Sequence, residues 1–274
     1  MIREIFIRKV SDGEMIFHAA FTETKDIAVE ALEKAFFEAS RGLKEGEIEH
    51  TEIVRYAFSY MHTSGYYFAI LFDRVVSQPE RMESMIFLST RFLADIIDYN
   101  DFNQEKMKSI AIKTIQRLPV KIGLIGFGGV GKTTTLKLIR QEEVPLEYVP
   151  TIFGDRKPLA VPIGPYRVIV FDFAGQKRFM SAWDILIRGS EVIFVMTDST
   201  PANVEATKQE ILPLVYSKAP YAKKYAIANK QDLPGALPPS EVGRRLGLKA
   251  FGMVAIDPSY REKMLNIIRE AVLE

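Results

Sequence analysis

The sequence predicts an α/β domain with a mainly parallel sheet, preceded by a small α+β domain. Three observations carry this. The 274 residues suit about two domains of ordinary size. The order of apolar runs changes at Pro119, from strands grouped with helices to strands alternating with helices. At that change a strand-like run enters a glycine-rich loop and then a helix. Hydrophobic residues make up 47% of the chain and charged residues 26%, enough for a core in each half and unlike a disordered or low-complexity chain.

In the first part, Ile2 to Val10 is apolar and β-branched, and Asp12-Gly13 is a hairpin signal before the alternating run Met15 to Phe21. Ile27, Ala31, Leu32, Ala35, Phe36 and Ala39 have helical spacing, with Gly42 where a C-cap glycine belongs. Ile48 to Tyr60 is strand-like. Ser64-Gly65 turns into Tyr66 to Phe72, and the region reads as two strands or three. Pro79 opens a helix with Met82, Met85, Ile86, Phe92, Leu93, Ile96 and Ile97 on one stripe. A last helix runs from about Asn103 to Arg117, ended by Pro119. The expected domains are residues 1–102, a linking helix 103–118, and residues 119–274.

In the second part, strands are expected at Val120–Ile125, Leu159–Ile163, Arg167–Phe173, Val192–Thr197, Lys224–Ala228 and Phe251–Ile256. Helices are expected at Lys132–Glu142, Lys177–Arg188, Ala202–Ser217, Ser240–Leu246 and Arg261–Leu273, with a hairpin at Gly164-Pro165.

Gly126-Phe127-Gly128-Gly129-Val130-Gly131-Lys132-Thr133 fits G-x-x-x-x-G-K-[ST] between a strand and a helix. Converging backbone N–H groups hold phosphate oxygens, and glycine lets the backbone approach and bend. The next helix turns its N-terminus to the anion. Lys132 reaches the β- and γ-phosphates, the Thr133 hydroxyl suits Mg²⁺, and Thr134 joins the expected nucleotide contacts. Asn229-Lys230-Gln231-Asp232 follows an apolar strand, where a ligand loop belongs. Asp232 can accept from guanine N1–H and the exocyclic amine, whereas adenine would face it with a lone pair. Asn229 can bridge to N7 and tie the loop down, and the Lys230 stem can lie over the base. In Asp172-Phe173-Ala174-Gly175-Gln176, Asp172 can hold Mg²⁺ through water, the Gly175 N–H can bond the γ-phosphate, and Gln176 can orient the attacking water. Thr151 falls in the loop after the first helix of this domain, and its hydroxyl can complete the Mg²⁺ shell when a γ-phosphate is present.

Together these residues resemble the Ras-like small GTPases, and within them the Arf branch. Pro150-Thr151-Ile152, Asp172 to Gln176, Trp183, Arg188-Gly189, Val192 to Ser199 and Asn229 to Pro234 carry the likeness. The resemblance implies a P-loop GTPase fold over residues 119–274, with Lys132, Gly175 and Gln176 catalytic and Ala255 giving its N–H to guanine O6. Ala174 departs from the Arf pattern, and Gly128-Gly129 is the Ras and Rab form. The first part resembles the longin domain in element order. The related roadblock fold begins with a helix, and both readings stay open.

The formal net charge is +1, without the basic excess of a nucleic-acid binder. There is no cysteine, so disulfides, thiolate metal sites and cysteine nucleophiles are excluded. No signal peptide, membrane-spanning run or lipidation motif is read, which gives the expectation of a cytoplasmic protein with at most peripheral membrane contact. His18, His50 and His62, the aromatics Tyr66, Tyr67 and Phe68, and the cations Arg178 and Arg188 read as ordinary core or surface residues. Two functions follow. The first is a slow, regulated GTP hydrolase with effector, exchange or activating proteins at its switch loops and the first domain as a built-in partner. The alternative is a scaffold or receptor-type subunit, similar to the signal-recognition-particle receptor beta subunit, that binds GTP with little turnover.

Overall fold

The computed structural model describes residues 1–97, 103–142, 163–172, 187 and 189–274. Expectations for Pro150-Thr151-Ile152, Phe173 to Gln176, Arg178, Trp183 and Arg188, for most of the strand at 159–163 and for the helix at 177–188, lie outside the described residues. The described residues form two compact units. Residues 1–119 belong to the first, with 164–167 and Glu274, and the others from Val120 to Leu273 belong to the second.

The first unit contains β1 (Ile2–Lys9), β2 (Met15–Ala20), α1 (Val29–Ser40), β3 (Glu49–Ile53), β4 (Tyr56–Thr63), β5 (Tyr66–Asp73), α2 (Gln78–Phe92), a π turn at Leu93–Ile97 and α3 (Gln104–Arg117). It is a small α+β domain with an antiparallel sheet in the order β2-β1-β5-β4-β3. Side chains alternate along central β5. Tyr67, Ala69 and Leu71 join a cluster with Phe37 and Phe58, against which Val29, Leu32 and Phe36 of α1 pack. Phe68, on the other face, meets Phe92 of α2 edge-on, with ring centroids 5.4 Å apart.

The stretch Ile48 to Tyr60 is divided, so the region has three strands. The chain reverses at Val54-Arg55, where Ile53 pairs with Tyr56. Val54 has φ 53°, a conformation a β-branched residue rarely takes, so neither glycine nor asparagine marks the turn. A distant arginine braces it. The Arg74 guanidinium donates to the Val54 carbonyl at 2.9 Å, and the Arg74 N–H donates to the Arg55 carbonyl at 2.8 Å.

Ser77 and Glu80 close a capping box at the start of α2. The apolar stripe of α3, Met107, Ile110, Ala111, Thr114 and Ile115, is buried, and the Arg117 guanidinium lies 4.6 Å from the Phe87 ring centroid on α2. Tyr166, from the short segment 164–167, is also buried in the first unit. Its hydroxyl donates to the Ile2 carbonyl at 2.9 Å. Burial raises the Tyr166 phenol well above its usual range, against a smaller opposing effect of the Thr22 hydrogen bond. Tyr166→Phe is expected to cost about 1 kcal/mol of stability, because the buried Ile2 carbonyl loses this donor. Urea denaturation measures it.

The second unit contains β6 (Val120–Ile125), α4 (Lys132–Arg140), β7 (Val168–Asp172), β8 (Val192–Thr197), α5 (Pro201–Ala206), a π turn at Thr207–Ile211, α6 (Leu212–Lys218), β9 (Lys223–Ala228), α7 (Pro239–Leu246), β10 (Ala250–Gly252) and α8 (Arg261–Leu273). Its sheet is parallel, in the order β10-β9-β8-β6-β7. β8 is buried along its whole length, as an inner parallel strand should be. This is the α/β layout of a P-loop GTPase domain.

Two expected elements differ. The helix at Ala202–Ser217 is interrupted by the π turn just before Pro213. Proline has no N–H and its ring crowds the carbonyl four residues back, so the ladder widens there. The strand at Phe251–Ile256 stops at Gly252. The Met253 N–H donates to the Ala228 carbonyl at the end of β9 at 2.9 Å, and the Met253 carbonyl accepts from the Gln231 N–H at 3.1 Å, so Met253 ties the base loop to the loop after β10. Among the described residues no helix is long and apolar enough to cross a membrane.

Candidate functional site

Parallel strands all present their carboxyl ends to one edge of the sheet. β6 ends there in Gly126–Gly131, β9 in Asn229–Asp232, β10 in the loop carrying Ala255, and β7 at Asp172. The register sets Leu124 of β6 beside Asp172, two residues before the glycine-rich loop begins. The backbone of Asp172 therefore flanks the base of that loop.

Close packing dictates the glycines at the two ends of the loop. A Cβ on Gly126 would lie 2.4 Å from the Met196 carbonyl oxygen of β8. Gly131 has φ +103°, and a Cβ there would lie 2.1 Å from Asn229 Nδ2. Between them Gly128 is exposed, Gly129 is half-buried and Val130 is buried. α4 starts directly after Gly131, so its first free N–H groups face the loop. The Lys132 side chain is buried, and its ammonium donates to the carbonyls of Gly126 at 3.0 Å and Phe127 at 2.9 Å. Thr133 and Thr134 follow, half-buried, in the first turn of α4. Thr135 donates from its hydroxyl to the Gly131 carbonyl at 2.9 Å.

Asn229 clasps three loops together. It is 2% exposed. Its Nδ2 donates to the Val130 carbonyl at 2.8 Å, and its Oδ1 accepts from the Ala255 N–H at 3.0 Å. One amide thus joins the glycine-rich loop to the last loop, 99 and 26 residues away in sequence. Ala255 is buried, and its N–H is engaged with Asn229 in this structure. Lys230 takes φ 60° at the turn and is half-buried, and Asp232 is exposed. Of the residues singled out in the sequence, Gly126, Gly128, Gly129, Val130, Gly131, Lys132, Thr133, Thr134, Asn229, Lys230, Asp232 and Ala255 gather at this edge. Asp172 comes to it by its backbone, and Thr151, Gly175 and Gln176 are not described.

The profile of the ADP-ribosylation factor family matches residues 107–271, more than half of the chain. The chain belongs to the ADP-ribosylation factor family. It is therefore placed among the GTP-binding small GTPases. ADP-ribosylation factor-like protein 13B of Chlamydomonas reinhardtii is 34% identical over 131 residues, 47% of this chain and 24% of that protein. ADP-ribosylation factor-like proteins 5 and 6 of Caenorhabditis elegans are each 30% identical over 137 residues, 48% of this chain and 73% and 71% of theirs. The chain thus spans about a quarter of the first relative's length and nearly three quarters of the other two.

Two residues of the site, quoted in the sequence motifs, were given no role there. Ser199 lies beyond β8, and Gln231 is the third residue of the Asn-Lys-Gln-Asp run. Both bond within the base-loop region. No local pattern signals this, because their partners are distant in sequence.

Proposed function

We propose that this chain is a switch that binds GTP with Mg²⁺ and hydrolyses it slowly to GDP and phosphate. The Asn229 clasp carries the reading. It joins a loop suited to phosphates to a loop suited to guanine through buried bonds of 2.8 and 3.0 Å. Lys132, in the same loop, can exchange its carbonyl acceptors for β- and γ-phosphate oxygens. Asp232 receives guanine N1–H and the exocyclic amine, and Lys230 covers the base.

The donor set fits a hard cation. Thr133 stands in the first turn of α4, and the Asp172 backbone flanks the loop before it. The Thr133 and Thr151 hydroxyls, and Asp172 through water, would hold Mg²⁺ with oxygen ligands. Bound there, the ion supplies neutralising charge to the phosphates. Gln176 orients the attacking water, and the Gly175 N–H binds the γ-phosphate. Water adds to the γ-phosphorus as the bond to the β–γ bridging oxygen breaks; GDP departs with that oxygen and its electron pair, and the water's oxygen and protons end on the inorganic phosphate and solvent. Positioning and electrostatics do most of the work, so turnover is slow without a partner protein.

The first unit, read as longin-like, is the built-in regulator. Residues 164–167 belong to the first unit, where the buried Tyr166 hydroxyl donates to the Ile2 carbonyl. Exchange, activating and effector proteins act at the loops around Thr151 and Gly175. The protein works in the cytoplasm, with peripheral contact to membranes, in trafficking or protein targeting.

Single-turnover GTP hydrolysis by wild type and Gln176→Leu tests this. The variant should bind GTP and lose hydrolysis by at least roughly tenfold. Equal rates would remove Gln176 from the mechanism and favour a nucleotide-stabilised scaffold.

A further inference from the structure

We propose that Ser199 and Gln231 are positioning residues that set guanine discrimination, by bracing the loop that carries Asp232. Neither would touch the nucleotide. The inference rests on the guanine reading of that loop and names what holds it in place.

Asp232 is exposed, and its loop needs support from behind if its carboxylate is to meet the base edge in one orientation. That support is a closed set of hydrogen bonds. Ser199 is 0% exposed. Its hydroxyl donates to the Asn229 carbonyl at 2.6 Å and accepts from Gln231 Nε2 at 2.8 Å. The same Nε2 donates to the Leu237 carbonyl at 3.0 Å, and the Leu237 N–H donates back to the Ser199 carbonyl at 2.8 Å. The Ser199 N–H donates to Thr197 Oγ1 at 3.2 Å, at the end of β8. The brace grips the base loop on both sides of Asp232, at Asn229 and Gln231 before it and at Leu237 after it. It fixes the loop to the rigid end of a fully buried strand.

The backbone shows that this arrangement is imposed. Ser199 has φ 65° and Lys230 has φ 60°, both in the left-handed region that favours glycine. Such conformations persist where surrounding contacts over-determine them. At Ser199 those contacts are the brace. The Gln231 amide supplies two donors, and both acceptors, Ser199 Oγ and the Leu237 carbonyl, lie within reach of Nε2. Methionine would fill the same space with no donor. The side chain at this position is therefore part of how this protein reads its base.

The two functions of the loop are separable by ligand. GDP presents N1–H and an exocyclic amine to Asp232, while inosine diphosphate presents N1–H alone. A loosely held carboxylate loses the paired contact first, so guanine preference over hypoxanthine falls. A loss of folding alone would weaken both nucleotides alike. The dissociation constants of GDP, inosine diphosphate and ADP are measured by competition with a fluorescent GDP. The proteins are the full chain, Ser199→Ala, Gln231→Met and the double variant. Each single variant should weaken GDP by about tenfold and inosine diphosphate by no more than about threefold, as expected for one lost buried hydrogen bond acting on orientation. The double variant should be no worse than the weaker-binding single, because both changes cut one network. Equal weakening of both nucleotides, no weakening, or additive losses would overturn the proposal. Gln231→Met, the milder change, decides the matter if Ser199→Ala does not fold. Wild-type protein that binds ADP as well as GDP would instead overturn the guanine reading beneath it.

Discussion

Asp232→Asn should weaken GTP by roughly 5- to 150-fold and create binding of xanthosine triphosphate. The range follows from about 1–3 kcal/mol for a buried polar pair turned from complementary to opposed. Guanine offers two donors, N1–H and the exocyclic amine, and a carboxylate accepts both. An asparagine amide keeps one acceptor but turns an N–H₂ toward the second donor. Xanthine carries a carbonyl in place of the exocyclic amine and accepts from that N–H₂. The Asp232 side chain is exposed, and the clasp and brace run through Asn229, Ser199 and Gln231, so the melting temperature of the nucleotide-free protein should hold. Competition binding with both triphosphates measures the switch. Unchanged preference for guanine would remove Asp232 from base selection.

Gly131→Ala should abolish nucleotide binding, by at least roughly 100-fold, and lower stability by about 3 kcal/mol. Two causes add. The position has φ +103°, which a side chain rarely adopts, and the new methyl would lie 2.1 Å from Asn229 Nδ2. Asn229 cannot swing away without losing both the Val130 carbonyl and the Ala255 N–H. Gly129→Ala is the control. Its φ is +78°, but no atom lies within 4 Å of the added methyl, so it carries backbone strain without the collision. The difference between the two variants in urea denaturation and in GDP titration isolates the clasp. Equal effects would mean that strain alone matters.

The sequence made the second domain legible because its chemistry is contiguous. Gly126 to Thr133 and Asn229 to Asp232 each compress a function into a few neighbouring residues, set after apolar strands that announce a parallel sheet. What stayed hidden depends on distant partners. The turn at Val54 is braced by Arg74, 20 residues on, whose guanidinium donates to the Val54 carbonyl. The last strand stops at Gly252, after which the Met253 carbonyl accepts from Gln231 in the base loop, although Val254 and Ile256 continue an apolar pattern. Ser199 enters the sequence reading only as the end of the Val192–Ser199 run that carries the family likeness, and only the fold brings Gln231 to its hydroxyl. Pro213 did carry a local signal, since a proline within a helical pattern foretells a break in the ladder.

The strand order of the first unit has a consequence for its birth on the ribosome. β1 and β2 form one local ribbon, and β3, β4 and β5 form another, but the join between them pairs Ile5 with Ile70, two residues far apart in the chain. Until β5 emerges, the earlier ribbon must wait with the backbone N–H and C=O groups of one β1 edge unpaired. Such long-range closure is slow and leaves sticky intermediates. The seam between β1 and β5 is where nascent chains would need a chaperone's shelter.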